Sequence, residues 1–285
     1  MAEGGATGST DPALPRADAP APPPAGGEAL RLVTLAERPD LEDALDRHNG
    51  SPWPAFMLQD PVVNELWHHL HEEFAGWQLI LLDADDRIAA AANSAPFAWD
   101  GTSAGLPDGW DDQYARTVEQ MRAGVPPDTL GALQIVVAEA WRGSRLAGRM
   151  VEEMQARGRA AGHRALVACV RPTEKYRYPL VPIERYARWT RPDGEPFDAW
   201  IRLHVRLGGR IDRPAPRSMT MRGSVAEWEQ WTGMAFPESG EYVIPFGTRP
   251  VSIDRAAGVG TYFDENVWVV HDLDRTGPPP RPSAS

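Results

Sequence analysis

Apolar and polar positions along residues 29–275 predict an alternation of strands and helices. Leu30–Leu35 alternates with the period of a strand, whereas Leu41 and Leu45 share one face of a short helix over Pro39–His48. The other elements expected up to Val170 are a helix over Pro61–Phe74, a hairpin of Trp77–Leu82 and Ile88–Phe97, a helix over Asp111–Arg122, a strand over Leu130–Ala138, a helix from Ser144 to Gly158 or Gly162, and a strand over Ala165–Val170.

The last three of these elements form a predicted βαβ unit from Leu130 to Val170. Parallel strands joined through a helix cross over right-handed, so the turn Arg142–Ser144 falls at the carboxyl end of the first strand. Ligands of α/β proteins bind at that position. Unpaired backbone N–H groups and the positive end of a helix dipole suit a pyrophosphate there.

Two common phosphate-binding motifs do not fit this turn. Gly143 and Gly148 have the glycine spacing of a P-loop, but Arg149 and Met150 stand where lysine and serine or threonine are needed. The dinucleotide fingerprint requires three glycines where the turn has one. The residues therefore argue against both nucleoside triphosphate hydrolysis and a Rossmann site.

The turn resembles the coenzyme-A site of the GNAT superfamily of acyltransferases, which reads Arg/Gln-Gly-x-Gly-x-Gly/Ala. Here the sequence is Arg142-Gly143-Ser144-Arg145-Leu146-Ala147, in which Arg145 replaces a glycine. The order of elements also matches that family over roughly Leu30 to Met221. The resemblance implies an α/β (α+β) fold: a mixed, mostly antiparallel sheet with one parallel βαβ unit, flanked by helices, plus a C-terminal extension.

The resemblance also implies a function and a set of cofactor contacts. An acetyl or other short acyl group would pass from acetyl-CoA, or another acyl-CoA, directly to an amine, without a metal. The strand would pair with the pantetheine arm and the turn would hold the pyrophosphate. The implied cofactor-binding residues are Gln134, Val136, Val137, Ala138, Arg142, Gly143, Ser144, Arg145, Leu146, Ala147 and Gly148.

Two residues are candidates for proton transfer. In the family, the general acid is a tyrosine in a helix that reads Leu-Tyr-x-x-Leu-Gly. This chain has Leu203-His204-Val205-Arg206-Leu207-Gly208 at the corresponding place. His204 would thus donate to the leaving thiolate. Glu139, just after the buried strand, is the candidate base, with a water chain as its rival.

The replacement of tyrosine by His204 leaves other functions open. One alternative is a non-catalytic acyl-CoA-binding or structural protein, and another is a CoA-thioester hydrolase or decarboxylase. Acceptor contacts are expected from Asn93 and Ser94 on the preceding strand. Tyr176, Tyr178 and Trp189 in the long connection 171–199 either bind the acceptor or pack within the protein.

Three further motifs are weak. Ser103 lies in a G-x-S-x-G sequence, but no helix is expected after it. The cluster of His68, His69 and His71 lacks the H-E-x-x-H spacing of a zinc site, which favours a solvated helix face. Cys169 lies within an apolar strand and is expected to be inert.

Composition restricts the partners and the compartment. The net charge is −11, which argues against a general nucleic-acid or membrane binder, yet residues 139–222 carry 18 Lys+Arg against 9 Asp+Glu. One cysteine excludes an intrachain disulfide, and no signal or membrane segment is expected. We expect a cytoplasmic protein with a small-molecule amine substrate and an open possibility of a homodimer. The expected organisation is a Pro/Ala-rich tail (1–28), a core (29–222), a C-terminal extension packed on the core (223–275) and a second tail (276–285).

Overall fold

Residues 30–274 are described by a computed structural model of the chain, and the two expected tails, 1–28 and 276–285, lie outside them. Its strands are β1 (Arg31–Thr34), β2 (Leu79–Leu82), β3 (Ile88–Phe97), β4 (Thr129–Val137), β5 (Ala165–Val170), β6 (Gly209–Ser224), β7 (Gly240–Tyr242), β8 (Val251–Asp254) and β9 (Val259–Asp272). Its α-helices are α1 (Glu42–Gly50), α2 (Pro61–Leu66), α3 (His68–His71), α4 (Trp110–Arg122), α5 (Leu146–Ala160), α6 (Ile183–Tyr186), α7 (Ala199–Arg206) and α8 (Val225–Thr232).

These strands form one sheet in the order β1-β2-β3-β4-β5-β9-β8-β7, with β6 paired to β9 beside that path. The pairing of β4 with β5 is parallel, and the other strand pairs of the described residues are antiparallel. The predicted fold class is therefore confirmed.

Helices cover both faces of this sheet. On one face, Met150 and Met154 of α5 are buried in the same apolar cluster as Leu130 and Leu166 of the parallel strands. On the other face, α4 contributes Tyr114 to the larger cluster. Burial on both sides explains why β4 and β5 are largely apolar.

The helix predicted over Pro61–Phe74 is two short helices, α2 and α3, which meet at Trp67. Its apolar stripe stays buried through Leu70 and Phe74. The spacing of apolar residues reports which side faces the core, and it does not reveal a break of one residue in the hydrogen-bond ladder.

The segment expected as an extension, residues 223–275, contributes an interior strand. β9 lies between β5 and β6, and Val170 at the end of β5 pairs with Val267. Its Trp268 is fully buried. The sequence of Asn266–Val270 is typical of a strand, but long-range pairing decides where that strand lies in the sheet.

Candidate active site

A gap opens in the sheet between β4 and β5. The two strands pair only where Thr129–Ala132 faces Ala165–Ala168. At Leu133 the register of β4 against β3 shifts by one residue, because Asn93 faces Gln134 while Ser94 faces Ala132. This bulge turns the second half of β4 away from β5.

The bulge also determines which backbone groups face the gap. The N–H of Ala138 donates to the carbonyl of Ala89 on β3 at 2.9 Å. Orientation alternates along an antiparallel strand, so the N–H and C=O groups of Val137 and Ile135 point the other way, toward β5. They offer pairing groups to an extended, amide-containing ligand arm.

A cavity of about 600 Å³ occupies this gap. Gln134 and Val137, two of the expected pantetheine contacts, line it, whereas Val136 and Ala138 do not. Ile135, within the strand expected to pair with pantetheine, lines it as well. Leu133 also lines it and is missed by the sequence, because the bulge has no local signature. On the β5 side the wall is Ala168, Cys169 and Val170.

The turn before α5 is tied by a backbone hydrogen bond, in which the N–H of Ser144 donates to the carbonyl of Trp141 at 3.2 Å. Gly143 has φ +78°, a left-handed conformation that favours glycine, and its surroundings are open. Ser144 Oγ donates to the carbonyl of Trp141 and accepts the N–H of Leu146 at 3.4 Å. Arg142 and Arg145 are exposed beside the turn, and Ala147 in the first turn of α5 lines the cavity.

Two of the expected cofactor contacts, and Arg149 after them, have other surroundings. The side chain of Leu146 is buried in the core with Met150. Gly148 lies within α5 and faces α7, where an added Cβ would be at an ordinary contact distance of 3.5 Å from Leu203. Arg149 pairs with Glu153 at 3.5 Å.

His204 lies at the wall of the cavity and is 2% exposed. Its Nδ1 is 3.0 Å from Nε2 of His271, and Trp200 packs edge-on against its ring. Burial lowers the pKa of His204 to about 3, so the ring is neutral at pH 7. The expected general-acid role of His204 rests on an ordinary histidine pKa, which the buried ring does not have.

Glu139 does not lie in the cavity. Its side chain is 74% exposed, and its carboxylate is 3.9 Å from Arg142. The short 3-10 turn Glu139–Trp141 takes the chain out of β4 to the surface. Glu139 is therefore not desolvated, although its expected role as the base depends on desolvation.

Only one of the five expected acceptor residues lines the cavity. Tyr176 does so, beside Phe246. Tyr178 and Trp189 pack against each other in an aromatic cluster, with ring centroids 5.0 Å apart. Asn93 and Ser94 are buried inside the sheet, where the Asn93 amide donates to Gln78 at 3.0 Å and Ser94 Oγ donates to the Trp77 carbonyl at 3.0 Å.

The acceptor half of the cavity comes from residues that the sequence did not single out. Among residues 30–274, Asp46 on α1 is the one carboxylate that lines the cavity, and Arg171, directly after β5, is the one guanidinium. Three tryptophans complete this half, namely Trp53, Trp67 and Trp110.

Asp46 is ionised at neutral pH. Burial opposes its ionisation, but the contact with His71, at 3.1 Å, outweighs burial and lowers the pKa of Asp46. The indole N–H of Trp67 also donates to Asp46 at 3.1 Å. The carboxylate is thus held by two partners at the mouth of the cavity, where a cation can reach it.

The histidine cluster of α3 is engaged by protein groups. His69 bonds Glu73 at 2.7 Å through Nδ1 and Arg122 at 3.0 Å through Nε2. Both of its ring nitrogens therefore contact protein groups, and ligand atoms of His68, His69 and Glu72 lie within 4.8 Å of one another. His71, as above, belongs to the surroundings of Asp46.

Cys169 lines the cavity but is not a nucleophile. Burial raises the pKa of its thiol to about 12, so the thiolate is not populated at neutral pH. Ser103, the other sequence candidate, is an exposed residue whose hydroxyl donates to Asp212.

Two carboxyl groups near the acceptor half, those of Asp60 and Asp111, interact electrostatically. Asp60 accepts the N–H of Val63 at 2.9 Å, and Asp111 accepts the N–H of Thr220 at 2.9 Å. Burial, followed by the charge of Asp60, raises the pKa of Asp111 to about 8, and burial raises the pKa of Asp60. The folded protein therefore binds one more proton than the unfolded chain between about pH 4 and pH 8.

We expect the free energy of unfolding of Asp111→Asn, relative to that of the wild type, to increase as the pH rises from 4 to 8. The wild type loses up to about 1.4 kcal/mol per pH unit in that window, because folding keeps a proton that the unfolded chain releases. Urea denaturation at pH 5 and pH 8 measures the difference. Asp108→Asn, an exposed neighbour, is the control, and parallel pH curves for Asp111→Asn and wild type would contradict the raised pKa of Asp111.

Comparison with known proteins identifies the class of this site. The chain is 36% identical over 273 residues to arginine N-acetyltransferase avaD of Aspergillus versicolor, covering 85% of this chain and 93% of that protein. No protein-family model matches the chain. At this identity and coverage, the chain belongs to the GNAT superfamily. It is an acyl-CoA-dependent N-acyltransferase.

Solved structures agree on the fold. The loading GNATL domain of CurA from Lyngbya majuscula superposes with a TM-score of 0.54 at 16% identity, covering 87% of this chain and 99% of that one. A GphF GNAT-like decarboxylase in complex with isobutyryl-CoA has a TM-score of 0.52 at 21% identity, covering 85% and 99%. Within residues 30–274, no helix is long and apolar enough to cross a bilayer.

Proposed function

We propose that the protein acetylates the α-amine of arginine, or of a closely similar guanidino amino acid, with acetyl-CoA as the donor. The observation that carries this proposal is the presence of both Asp46 and Arg171 in the lining of one cavity. Arg171 is held there by the protein, because its Nε donates to Asp264 at 2.8 Å and its Nη2 donates to the carbonyl of Phe246 at 2.8 Å. A guanidinium is matched by the carboxylate and an α-carboxylate by the guanidinium. The 36% identity to a protein named arginine N-acetyltransferase supports the same acceptor.

The positions of the two charges orient the acceptor. Arg171 follows Val170 at the end of β5, beside the gap between the strands, whereas Asp46 lies on α1 next to Trp67. An arginine held between them places its α-amine toward the gap and its guanidinium at the mouth. Indole faces suit that guanidinium through cation–π contact.

The donor fits the other half of the cavity. The free backbone groups of Ile135 and Val137 would pair with pantetheine, and the N-terminal amides of α5, with Gly143 and Ser144 before them, would hold the pyrophosphate. Arg142 and Arg145 supply exposed positive charge at the same end. Acetyl-CoA when bound supplies an activated thioester.

The residues of this chain then stabilise the charge that transfer creates. A C–N bond forms between the free amine and the thioester carbon, the C–S bond breaks, and the proton lost by the amine ends on the thiol or in solvent. The Nε2–H of His204 donates to the sulfur as negative charge develops on it. The high pKa of Cys169 favours direct transfer over an acyl-cysteine.

Thiol release measured with matched amines tests this proposal. We expect arginine to be the best acceptor, citrulline to lose the Asp46 contact, and agmatine to lose the Arg171 contact. Tandem mass spectrometry of the product should place the acetyl group on the α-nitrogen. Release of CoA without any acceptor would indicate hydrolysis or decarboxylation. A preference for amines that lack a guanidinium group would contradict the proposed acceptor.

We expect Asp46→Asn to raise the KM for arginine by about fivefold to tenfold with little change in kcat, because a partly exposed ion pair contributes about 1 kcal/mol. Asp43→Asn, which removes an exposed carboxylate from the same helix, is the matched control. Steady-state kinetics with arginine and citrulline measure both. An equal effect on the two acceptors would show that Asp46 does not bind the guanidinium.

A further inference from the structure

Three buried side chains form a chain of hydrogen bonds that ends at the cavity. Gln155 of α5, His271 of β9 and His204 of α7 are 7%, 2% and 2% exposed. Gln155 Nε2 is 2.9 Å from His271 Nδ1, and His271 Nε2 is 3.0 Å from His204 Nδ1. Three elements that are far apart in sequence thus meet behind the reacting end of the cavity.

The backbone determines the direction of this chain. Gln155 Nε2 also donates to the carbonyl of Leu207 at 3.1 Å, and a carbonyl can only accept. The amide group facing both partners is therefore the NH₂, which donates its second hydrogen to Nδ1 of His271. That nitrogen must be unprotonated, so the proton of a neutral His271 is on Nε2 and is donated to Nδ1 of His204.

Because Nδ1 of His204 accepts the proton donated by His271, the proton of a neutral His204 is on Nε2. Burial lowers the pKa of His204 to about 3 and that of His271 to about 4, so both rings are neutral at pH 7. The Nε2 of His204 has no hydrogen-bond partner within the described part of the chain, and His204 lines the cavity. An N–H donor is thereby directed at the space where the thioester would lie.

The residue beside the pair leaves room for this arrangement. A Cβ on Gly209 would lie 2.8 Å from Cε1 of His271 and 2.8 Å from the carbonyl oxygen of His204. It would also lie 2.6 Å from Cγ1 of Val269, so glycine at this position leaves room for the His271 ring beside the backbone of His204. The requirement is steric and is independent of the hydrogen-bond argument.

We infer that Gln155 and His271 are positioning residues that fix His204 in its Nε2–H tautomer for the acyl-transfer step. The inference rests on the proposed role of His204. Neither residue lines the cavity, so each acts through His204. The opposite tautomer would present a lone pair to the departing sulfur and would repel its developing negative charge.

A pair of substitutions of similar volume at His271 tests the inference. In His271→Gln, the side-chain carbonyl can accept from Gln155 and the NH₂ can donate to His204, which preserves the direction of the chain. In His271→Met the donor is lost. We expect His271→Gln to stay within about threefold of the wild-type kcat and His271→Met to lose about 100-fold, with the KM for acetyl-CoA unchanged in both.

A spectroscopic measurement separates this inference from the proposed function. Long-range ¹H–¹⁵N correlation spectra of protein labelled with ¹⁵N-histidine distinguish the two tautomers of His204 without any turnover. We expect the Nε2–H form in the wild type and a mixture in Gln155→Met, which also serves if His271→Met does not fold.

Three results would overturn the inference. They are equal losses of kcat in His271→Gln and His271→Met, full activity in a folded His271→Met, and an Nδ1–H tautomer in the wild type. Failure of the proposed role of His204 is recognised differently, by a His204→Leu variant that keeps full activity while the wild-type spectrum still shows the Nε2–H form.

Discussion

Replacing His204 with leucine lowers kcat for acyl transfer by about 100- to 1,000-fold, the loss typical of removing one preorganised donor to developing charge. The dissociation constant of CoA stays close to that of the wild type, because in the proposed complex the backbone of β4 and the turn before α5 would hold the rest of the molecule. Stopped assays of thiol release and calorimetric titration with CoA measure the two quantities. Loss of CoA affinity in parallel with kcat would place His204 in binding rather than in the chemical step.

The matched control for this substitution is His163→Leu. His163 is also a buried histidine with a pKa lowered by burial, but it stacks on Trp77 and lies outside the cavity lining. Its replacement should leave kcat unchanged. A His204→Leu protein that turns over as fast as His163→Leu would remove His204 from the mechanism.

The neutrality of His204 also predicts the pH profile. With a pKa of about 3, the ring neither gains nor loses a proton between pH 5 and pH 8. We therefore expect kcat of the wild type and of His204→Leu to have the same inflections between pH 5 and pH 8. An inflection that disappears in His204→Leu would show that the ring works as a titrating acid.

Lys175→Met destabilises the protein by about 3–5 kcal/mol, because it leaves a buried carboxylate without its counterion. Lys175 is the lysine of this sequence and is fully buried. Its ammonium lies 2.9 Å from Glu265 and donates to the carbonyls of Tyr178 and Thr248. Burial already raises the pKa of Glu265, so removing the cation adds to an existing cost.

This ion pair connects stability to the site. Lys175 precedes Tyr176 in the cavity wall, while Glu265 belongs to β9, so the pair holds the long connection onto the sheet. Denaturant unfolding of Lys175→Met, Glu265→Gln and the double variant gives the coupling energy. The double variant should recover most of the loss, whereas a loss below about 1 kcal/mol in Lys175→Met would show that water screens the pair.

The donor half of the site could be predicted because its parts are contiguous in sequence. Strand, turn and helix from Leu130 to Ala160 form one βαβ unit, and the pattern of Arg142–Ala147 lies within it. The prediction was less accurate where register matters. Val136 was expected to contact the cofactor and Ile135 lines the cavity instead, because a one-residue bulge reverses the faces of a strand.

The acceptor half could not be predicted because tertiary packing assembles it. Asp46 and Arg171 are far apart in sequence, and neither belongs to a recognisable motif. Within the aromatic connection, Tyr176 faces the cavity and Tyr178 packs into a cluster two residues later, a difference that composition does not encode. Likewise, the position of His204 follows from a resemblance, but its partner His271 lies on a strand whose neighbours the sequence leaves open.

A crystal structure of the complex with CoA would show whether the cofactor binds in the gap of the sheet. We expect the pantetheine arm between β4 and β5, the pyrophosphate at the turn Gly143–Ala147, and the sulfur within hydrogen-bonding reach of His204 Nε2. Pantetheine bound elsewhere, or a sulfur directed away from His204, would contradict this arrangement.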